Sequence, residues 1–254
     1  QAWASHGLCP RVLRPLSETR ATPTLLGRAL PHPLLLAPVA YQRLAHPDGE
    51  LASACAASAQ GVGYVLSAQA SWPLEGIAQA IGADAGRGPL WFQLLWLGER
   101  DATLALAQRA QQAGYEALVL TVDAPVHGAR DHERRCGFVL PDDVSAVNLP
   151  FALPSTLSAL KAGAPTWADI AWLREQLSIP LILKGILHPD DARQAQDLGM
   201  AGVIVSNHGG RTLDTAMTTA LALPRVRQAV GPHFPLLVDG ICFGSIVNLS
   251  LLMD

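Results

Sequence analysis

Residues 206 to 214 read Ser206-Asn207-His208-Gly209-Gly210-Arg211-Thr212-Leu213-Asp214. An imidazole, two glycines and a guanidinium in consecutive places make a compact chemical unit. A neutral imidazole is suited to taking a proton near neutral pH, and a positioned base typically contributes about 10²–10⁴-fold in rate. Arg211 offers the fork that grips a carboxylate at two points. Gly209 and Gly210 permit a tight turn and close backbone approach to a ligand. Two more groups extend the pattern. Arg130, in Pro125-Val126-His127-Gly128-Ala129-Arg130, reads either as a second carboxylate ligand or as a solvated loop charge. Asp123 either orients the imidazole and stabilises its cation, as the third group of a triad does, or caps its loop.

Only two of the 18 basic residues are lysines, Lys161 and Lys184. Lys184 lies inside the apolar run Ile179-Pro180-Leu181-Ile182-Leu183-Lys184-Gly185-Ile186-Leu187. An ammonium desolvated there is destabilising unless a strong acceptor meets it. Two acceptors fit: the electron-rich edge of a cofactor, or a core carboxylate such as Asp123 or Asp239.

The elements that position these groups follow from hydrophobic pattern. Near-continuous apolar runs, as buried parallel strands require, occur at Pro33–Pro38, Val62–Ser67, Leu90–Leu95, Ala117–Asp123, Pro180–Gly185, Gly202–Asn207 and Pro235–Gly240. Helical patterns lie between them. Asp101 and Gly114 bracket one as N-cap and C-terminal glycine, and Pro189 and Gly199 bracket another. Thr166 and Asp169 resemble a capping box, with Ile170, Leu173 and Leu177 on one face. Repeated right-handed β-α-β units give a parallel barrel or an open doubly wound sheet. Seven strands can be counted, and the connection from Ala124 to about Ile179 is long enough to suggest function. Barrel chemistry sits at the C-terminal ends of strands. There this chain carries Ser67, Gln93, Thr121, Asp123, Lys184, Ser206, Asn207, His208 and Asp239.

Composition narrows the class. In 254 residues, 50% are hydrophobic and 15% charged, so a sizeable core is expected. A net charge of −3 gives no reason to expect nucleic acid as a partner. The four cysteines are far apart and form no CxxC pair, which suggests reduced thiols and a cytoplasmic setting. The start carries no signal-peptide pattern, and no apolar run reaches the roughly 18 residues of a membrane span. There is no HExxH, no Walker or GxSxG motif, and no convincing histidine spacing for a metal. Gly61-Val62-Gly63 lacks the third glycine of a dinucleotide fingerprint.

Six ordered blocks together resemble the FMN-dependent 2-hydroxy-acid oxidases and dehydrogenases, the family of glycolate oxidase, lactate oxidase, mandelate dehydrogenase and hydroxymandelate oxidase. They are Ala37-Pro38-Val39-Ala40, Ala45-His46-Pro47-Asp48-Gly49-Glu50, Trp91-Phe92-Gln93, Thr121-Val122-Asp123-Ala124-Pro125, Leu183-Lys184-Gly185 and the run from Ser206 to Arg211. The resemblance implies an α/β fold of the (β/α)8 TIM-barrel type, with seven recognisable strands and the eighth missing or replaced. It implies one FMN-binding barrel domain over residues 1–254, with 124–179 a long loop insertion and 241–254 an atypical tail. The cofactor would be FMN and the substrate a small 2-hydroxy acid, oxidised to a 2-oxo acid. The backbone at Val39 and Ala40 would lie beside the reactive flavin ring. Ser67, Gln93 and Thr121 would hydrogen-bond the ring system, with Lys184 at its N1/O2 edge. Asp239 and Gly240 would belong to the cofactor site. His208 would be the base, Asp123 its partner, and Arg211 and Arg130 the ligands of the substrate carboxylate. A homo-oligomer is implied in the same way.

Three departures from that pattern stand out. Leu95 occupies the place of a tyrosine two residues after the family's glutamine. The N-terminal segment that supplies another active-site tyrosine is missing. After Gly240, the glycine, arginine, helix and eighth strand that bind the FMN phosphate give way to a different tail. Ser245–Met253 could form a strand, but the four residues Ile241–Gly244 are too few for a parallel crossover, which needs about a dozen or more. Two open sheet edges are then expected. The tail is expected to stem from truncation, a frameshift or mis-splicing, and the alternative to an enzyme is a non-catalytic remnant that cannot retain FMN.

Overall fold

The computed structural model describes residues 3, 9, 12–13, 22–124, 131–151, 156–240 and 247–249. Arg130 lies outside the described residues. The apolar runs form seven parallel strands: β3 (Leu34–Leu36), β4 (Gly63–Leu66), β5 (Leu90–Leu95), β6 (Ala117–Thr121), β7 (Leu181–Ile186), β8 (Gly202–Val205) and β9 (Leu236–Val238). They pair in chain order. The sheet curls into a half-barrel of the TIM-barrel type.

Period-two alternation sorts each strand between two cores. Leu35, Val65, Trp91, Val119, Ile182, Ile204 and Leu237 pack together on the concave side. Their neighbours, including Leu66, Phe92, Leu118, Leu183, Val203 and Val238, pack outward against helices. Both faces are therefore apolar, as sequence runs without alternation require. An unforeseen hairpin, β1 (Thr24–Leu25) and β2 (Arg28–Ala29), adds Leu25 and Leu30 to the inner cluster. Its turn, Leu26-Gly27, takes positive φ at both residues, 49° and 79°. Arg28 reaches Glu116 at 2.9 Å, and Arg87 shares the same carboxylate.

The helices are α1 (Gly49–Ala59), α2 (Leu74–Gly82), α3 (Arg100–Gln112), α4 (Asp131–Arg135), α5 (Leu157–Ala162), α6 (Trp167–Glu175), α7 (Pro189–Asp197) and α8 (Thr219–Val230). Pro189 opens α7 and Gly199 follows it with φ 74°. Asp101 is not the cap of α3. Glu99 is, in extended conformation, and its carbonyl accepts from the Thr103 hydroxyl at 2.7 Å. Asp101 sits instead in the first turn, where its charge complements the helix dipole. The long connection carries α4, α5 and α6. Asn148 pins it to the barrel, accepting from the Leu74 amide at 2.8 Å and donating to the Trp72 carbonyl at 3.0 Å.

In the tail, Val247–Leu249 forms β10, which pairs antiparallel with β3, Val247 opposite Leu36 and Leu249 opposite Leu34. The sheet stays open with two edges, as expected, although β10 covers β3 and becomes the edge on that side, with β9 at the other. A short link can reverse the chain but cannot cross over to a parallel position, so the returning strand runs antiparallel.

Two outcomes test this architecture. Trp91→Ala empties the centre of the inner core and should lower unfolding free energy by about 3–5 kcal/mol in urea titrations. At the start of α6, Asp169 accepts from the Thr166 hydroxyl (2.7 Å) and amide (2.8 Å). These contacts, first the hydroxyl, then the amide and then Arg100, hold its carboxyl down at about 2 against an ordinary 3.8. A lowered value in the fold means the contribution is complete above the ordinary value and is lost as pH falls through about 2. The difference in Tm between parent and Asp169→Asn should therefore shrink between pH 4 and pH 2. A constant difference would show that the cap does not titrate there.

Candidate active site

One step of the same alternation carries the inner face from apolar to polar. Two residues beyond Val65, Trp91, Val119, Ile182, Ile204 and Leu237 stand Ser67, Gln93, Thr121, Lys184, Ser206 and Asp239. All six are buried, and they crown the inner core at the C-terminal ends of the strands. They are joined across the sheet. Ser67 donates to Gln93 Oε1 at 2.9 Å, and Gln93 Nε2 donates to Thr121 Oγ1 at 2.8 Å. Lys184 Nζ donates to Ser206 Oγ at 3.0 Å and pairs with Asp239 Oδ2 at 2.8 Å. Of the two acceptors open to Lys184 from sequence, the structure supplies the core carboxylate, and it is Asp239. Asp123 is taken elsewhere.

His208 follows β8 and adopts φ 54°, with Gly209 and Gly210 also positive. A left-handed histidine is strained by about 1–3 kcal/mol and persists only where its surroundings fix it. Here the His208 amide donates to Ser206 Oγ at 3.1 Å, and its Nδ1 meets Asp123 Oδ1 at 3.0 Å. A carboxylate only accepts, so Nδ1 carries a proton in this contact. Gly185 makes the pairing possible. A Cβ there would stand 2.4 Å from Asp123 Cβ. Of the alternatives for Asp123, orienting the imidazole is the one observed.

The remaining residues fall around this pair. Arg211 is exposed and donates to Glu133 of α4 at 3.4 Å. Val39 and Ala40 follow β3, and the Val39 carbonyl accepts from Gln42 Nε2 at 3.4 Å. Gly240 has φ 74°, and a Cβ on it would stand 2.5 Å from Asn207 Oδ1. Leu95 lies opposite Thr121 in the ladder, so no phenol stands at that point. Among the described residues, three buried oxygens here have no hydrogen-bond partner: Asp123 Oδ2, Asn207 Oδ1 and Asp239 Oδ1. Unmet acceptors beside a ring of hydroxyl, amide and ammonium groups suit a flat ligand with both donors and acceptors on its edge.

Sequence reasoning noted Ser206 as polar but gave it no role, and it links Lys184 to the His208 turn. It quoted Glu50 within a family block without giving it a role, and it missed Ser71 altogether. Glu50 is fully buried and accepts from Ser71 N (3.0 Å), Ser71 Oγ (2.7 Å) and Gln42 N (2.9 Å). Burial, with the Glu50 charge behind it, pushes the neighbouring Tyr64 phenol well up.

A parallel barrel sheet with a paired imidazole and carboxylate above a buried polar ring defines a barrel enzyme scaffold. Residues 1–248 match the FMN-dependent dehydrogenase family, and the chain belongs to it. It is 45% identical over 250 residues to an L-lactate oxidase of Alicycliphilus denitrificans, covering 94% of this chain and 67% of that protein. With 4-hydroxymandelate oxidase of Amycolatopsis orientalis the identity is 41%, covering 91% and 66%. A mandelate oxidase variant solved with benzaldehyde superposes with a TM-score of 0.81 at 42% identity, covering 92% and 65%. Another mandelate oxidase structure holds a C4a-OH-FMN adduct, with a TM-score of 0.81 at 42% identity, covering 92% of this chain and 66% of that one. The chain thus spans about two thirds of the length of these relatives.

The Lys184–Asp239 pair gives a prediction. Lys184→Met leaves Asp239 buried without its cation and should destabilise by about 3–5 kcal/mol. Adding Asp239→Leu should recover most of that loss. Urea denaturation of the two variants measures both steps. A double variant as unstable as the single one would mean that the pair itself is worth more than its desolvation.

Proposed function

We propose that this chain is an FMN-dependent (S)-2-hydroxy-acid oxidoreductase, acting as one FMN-binding barrel domain and converting a small 2-hydroxy acid to the 2-oxo acid. The observation that carries the reading is the His208 Nδ1–Asp123 Oδ1 contact of 3.0 Å, set above the polar ring. With Nδ1 engaged, His208 Nε2 takes the substrate hydroxyl proton, and Asp123 stabilises the imidazolium that results. Arg211 holds the substrate carboxylate, exchanging its Glu133 contact for it, and Arg130 joins it there. Ser67, Gln93, Thr121 and Lys184 would hold the ring of FMN, with the backbone of Val39 and Ala40 alongside and Asp239 and Gly240 completing its site. FMN, when bound, supplies the acceptor for the two electrons that leave C2. The free acceptors Asp123 Oδ2, Asn207 Oδ1 and Asp239 Oδ1 support a ligand in this position.

No helix among the described residues is long and apolar enough to cross a membrane. Cys9 and Cys55 are exposed thiols outside any disulfide, which supports a reducing, cytoplasmic setting. A homo-oligomer belongs to the same proposal and rests on family membership.

The purified chain should be yellow, or become so with added FMN, and should bleach anaerobically with lactate or mandelate. A protein that stays colourless with excess FMN would sink the proposal in favour of a non-catalytic family member. In an active chain, His208→Ala should lose about 10²–10⁴-fold in turnover while flavin absorbance persists. Loss of the flavin from that variant would instead assign His208 to the architecture of the cofactor site.

A further inference from the structure

Glu50 stands in the first turn of α1, outside the polar ring, yet its carboxyl group joins two loops of the barrel mouth. Its Oε1 accepts from Gln42 N in the loop after β3 and from Ser71 N in the loop after β4. Its Oε2 accepts the Ser71 hydroxyl, which in turn accepts from Arg43 N at 3.2 Å. Next to this node, Tyr41 N donates to the Gln69 carbonyl and Gln69 Nε2 donates to the Tyr41 hydroxyl, both at 3.2 Å. Tyr41 holds a left-handed φ of 53°, so this loop is shaped against its own preference and needs outside fixing. The Gln42 side chain then reaches the Val39 carbonyl. One end of the connected set is therefore the Val39–Ala40 backbone and the other is Ser67, whose hydroxyl accepts from Gln69 N at 3.1 Å. A buried carboxyl group with three donors is a rigid node, because losing it leaves two backbone amides without their acceptor, that of Ser71 buried and that of Gln42 partly so.

The geometry points to Glu50 as a positioning residue for the proposed flavin reaction: it locks the loop after β3 to the loop after β4, and so sets the Val39–Ala40 backbone relative to Ser67. The inference rests on the function proposed above, but the lock is a property of the chain alone and can be measured without flavin. Glu50→Ala removes all the acceptors. Glu50→Gln keeps Oε1 for both amides and presents an NH2 that a turned Ser71 hydroxyl can accept, so it acts as the conservative rescue. Ser71→Ala removes the hydroxyl contact to Glu50 Oε2 and the branch to Arg43 but keeps both amide contacts to Oε1, and it retains most of the fold should Glu50→Ala not fold.

Amide hydrogen exchange on the flavin-free full chain reads the lock directly. In Glu50→Ala, segments 39–45 and 67–71 should exchange at least about tenfold faster together, while β6 and β7 keep the parent rates. Ser71→Ala should release 41–45 with a smaller change in 67–71, and Glu50→Gln should stay within about threefold of the parent. In the FMN-loaded chain, Glu50→Ala should lower kcat by up to about 10²-fold with KM for the hydroxy acid little changed, because a displaced backbone harms alignment more than carboxylate binding. Parent-like exchange in both loops, or a uniform rise across the whole barrel, would overturn the inference. So would parent kcat in a Glu50→Ala chain whose loops have loosened. A parent chain that takes up no FMN defeats the functional proposal alone, and the exchange experiment still decides whether Glu50 is the lock.

Discussion

The structure depends on one constraint: a strand's side chains alternate with a period of two, and seven parallel strands curled together bring their inward positions into shared layers. One layer is wholly apolar and holds Trp91 at its centre. The next, two residues on, is polar and buried on six of the seven strands, with Ala37 standing after β3. A one-residue slip in any strand would push a polar group into the helix-facing core and an apolar one into the mouth. Register and chemistry are therefore specified together. The tilt of the strands appears in the bonding as well. Gln93 pairs with Val119 in the ladder but bonds Thr121, and Lys184 pairs with Ile204 but bonds Ser206. The polar ring closes along the stagger of the barrel rather than along its hydrogen-bond ladder.

That ring contains an ion pair, Lys184 with Asp239, where water is largely excluded. Such a pair is weak support for stability, since desolvating two charges offsets much of their attraction. Its retention at this position is better explained by what it presents to a ligand. Asp239 engages Lys184 through one oxygen only, and the other is unmet. Asp123 repeats the arrangement, with one oxygen on His208 and the other unmet. Half-satisfied carboxylates inside a folded core are destabilising unless a donor completes them. Both lie at the mouth where the proposed function places FMN.

Seven strands and the ends of α7 were legible because buried parallel strands and helix termini leave strong local signals. The polar groups at the strand ends were legible for the same reason as the strands, since polar residues closing apolar runs are conspicuous. What could not be read falls into two kinds. The β1–β2 hairpin turns on Leu26-Gly27, which lacks the usual Asn-Gly or Asp-Gly signal, and its strands are two residues each. Glu50 follows the sequence rule for a helix first turn, where an acidic residue is ordinary, and nothing nearby says that it is buried. Its partners Gln42 and Ser71 come from different loops, so the node exists only in three dimensions. Sequence leaves the acceptor of Lys184 between a cofactor edge and a core carboxylate, Asp123 or Asp239; both carboxylates close strands, and only the curl of the sheet pairs Asp239 with Lys184 and Asp123 with His208.

The assignment of Asp123 itself rests on a missing atom. Gly185, on β7, has φ 111°, and any side chain there would collide with the Asp123 carboxyl group. Beyond β6 the chain can therefore turn inward over β7 and carry Asp123 within reach of a histidine two strands away from it in the sheet. On the other flank, Gly240 lets the chain leave β9 beside Asn207 without touching it. The His208 turn is thus held in left-handed conformation between two backbone approaches that only glycine allows. A glycine, a carboxylate and a hydroxyl on three different strands fix the orientation of one imidazole, and through Nδ1 they fix which of its nitrogens is left to take a proton. Where backbones can come closest, the chain has put nothing, and the His208–Asp123 pair stands in the space that results.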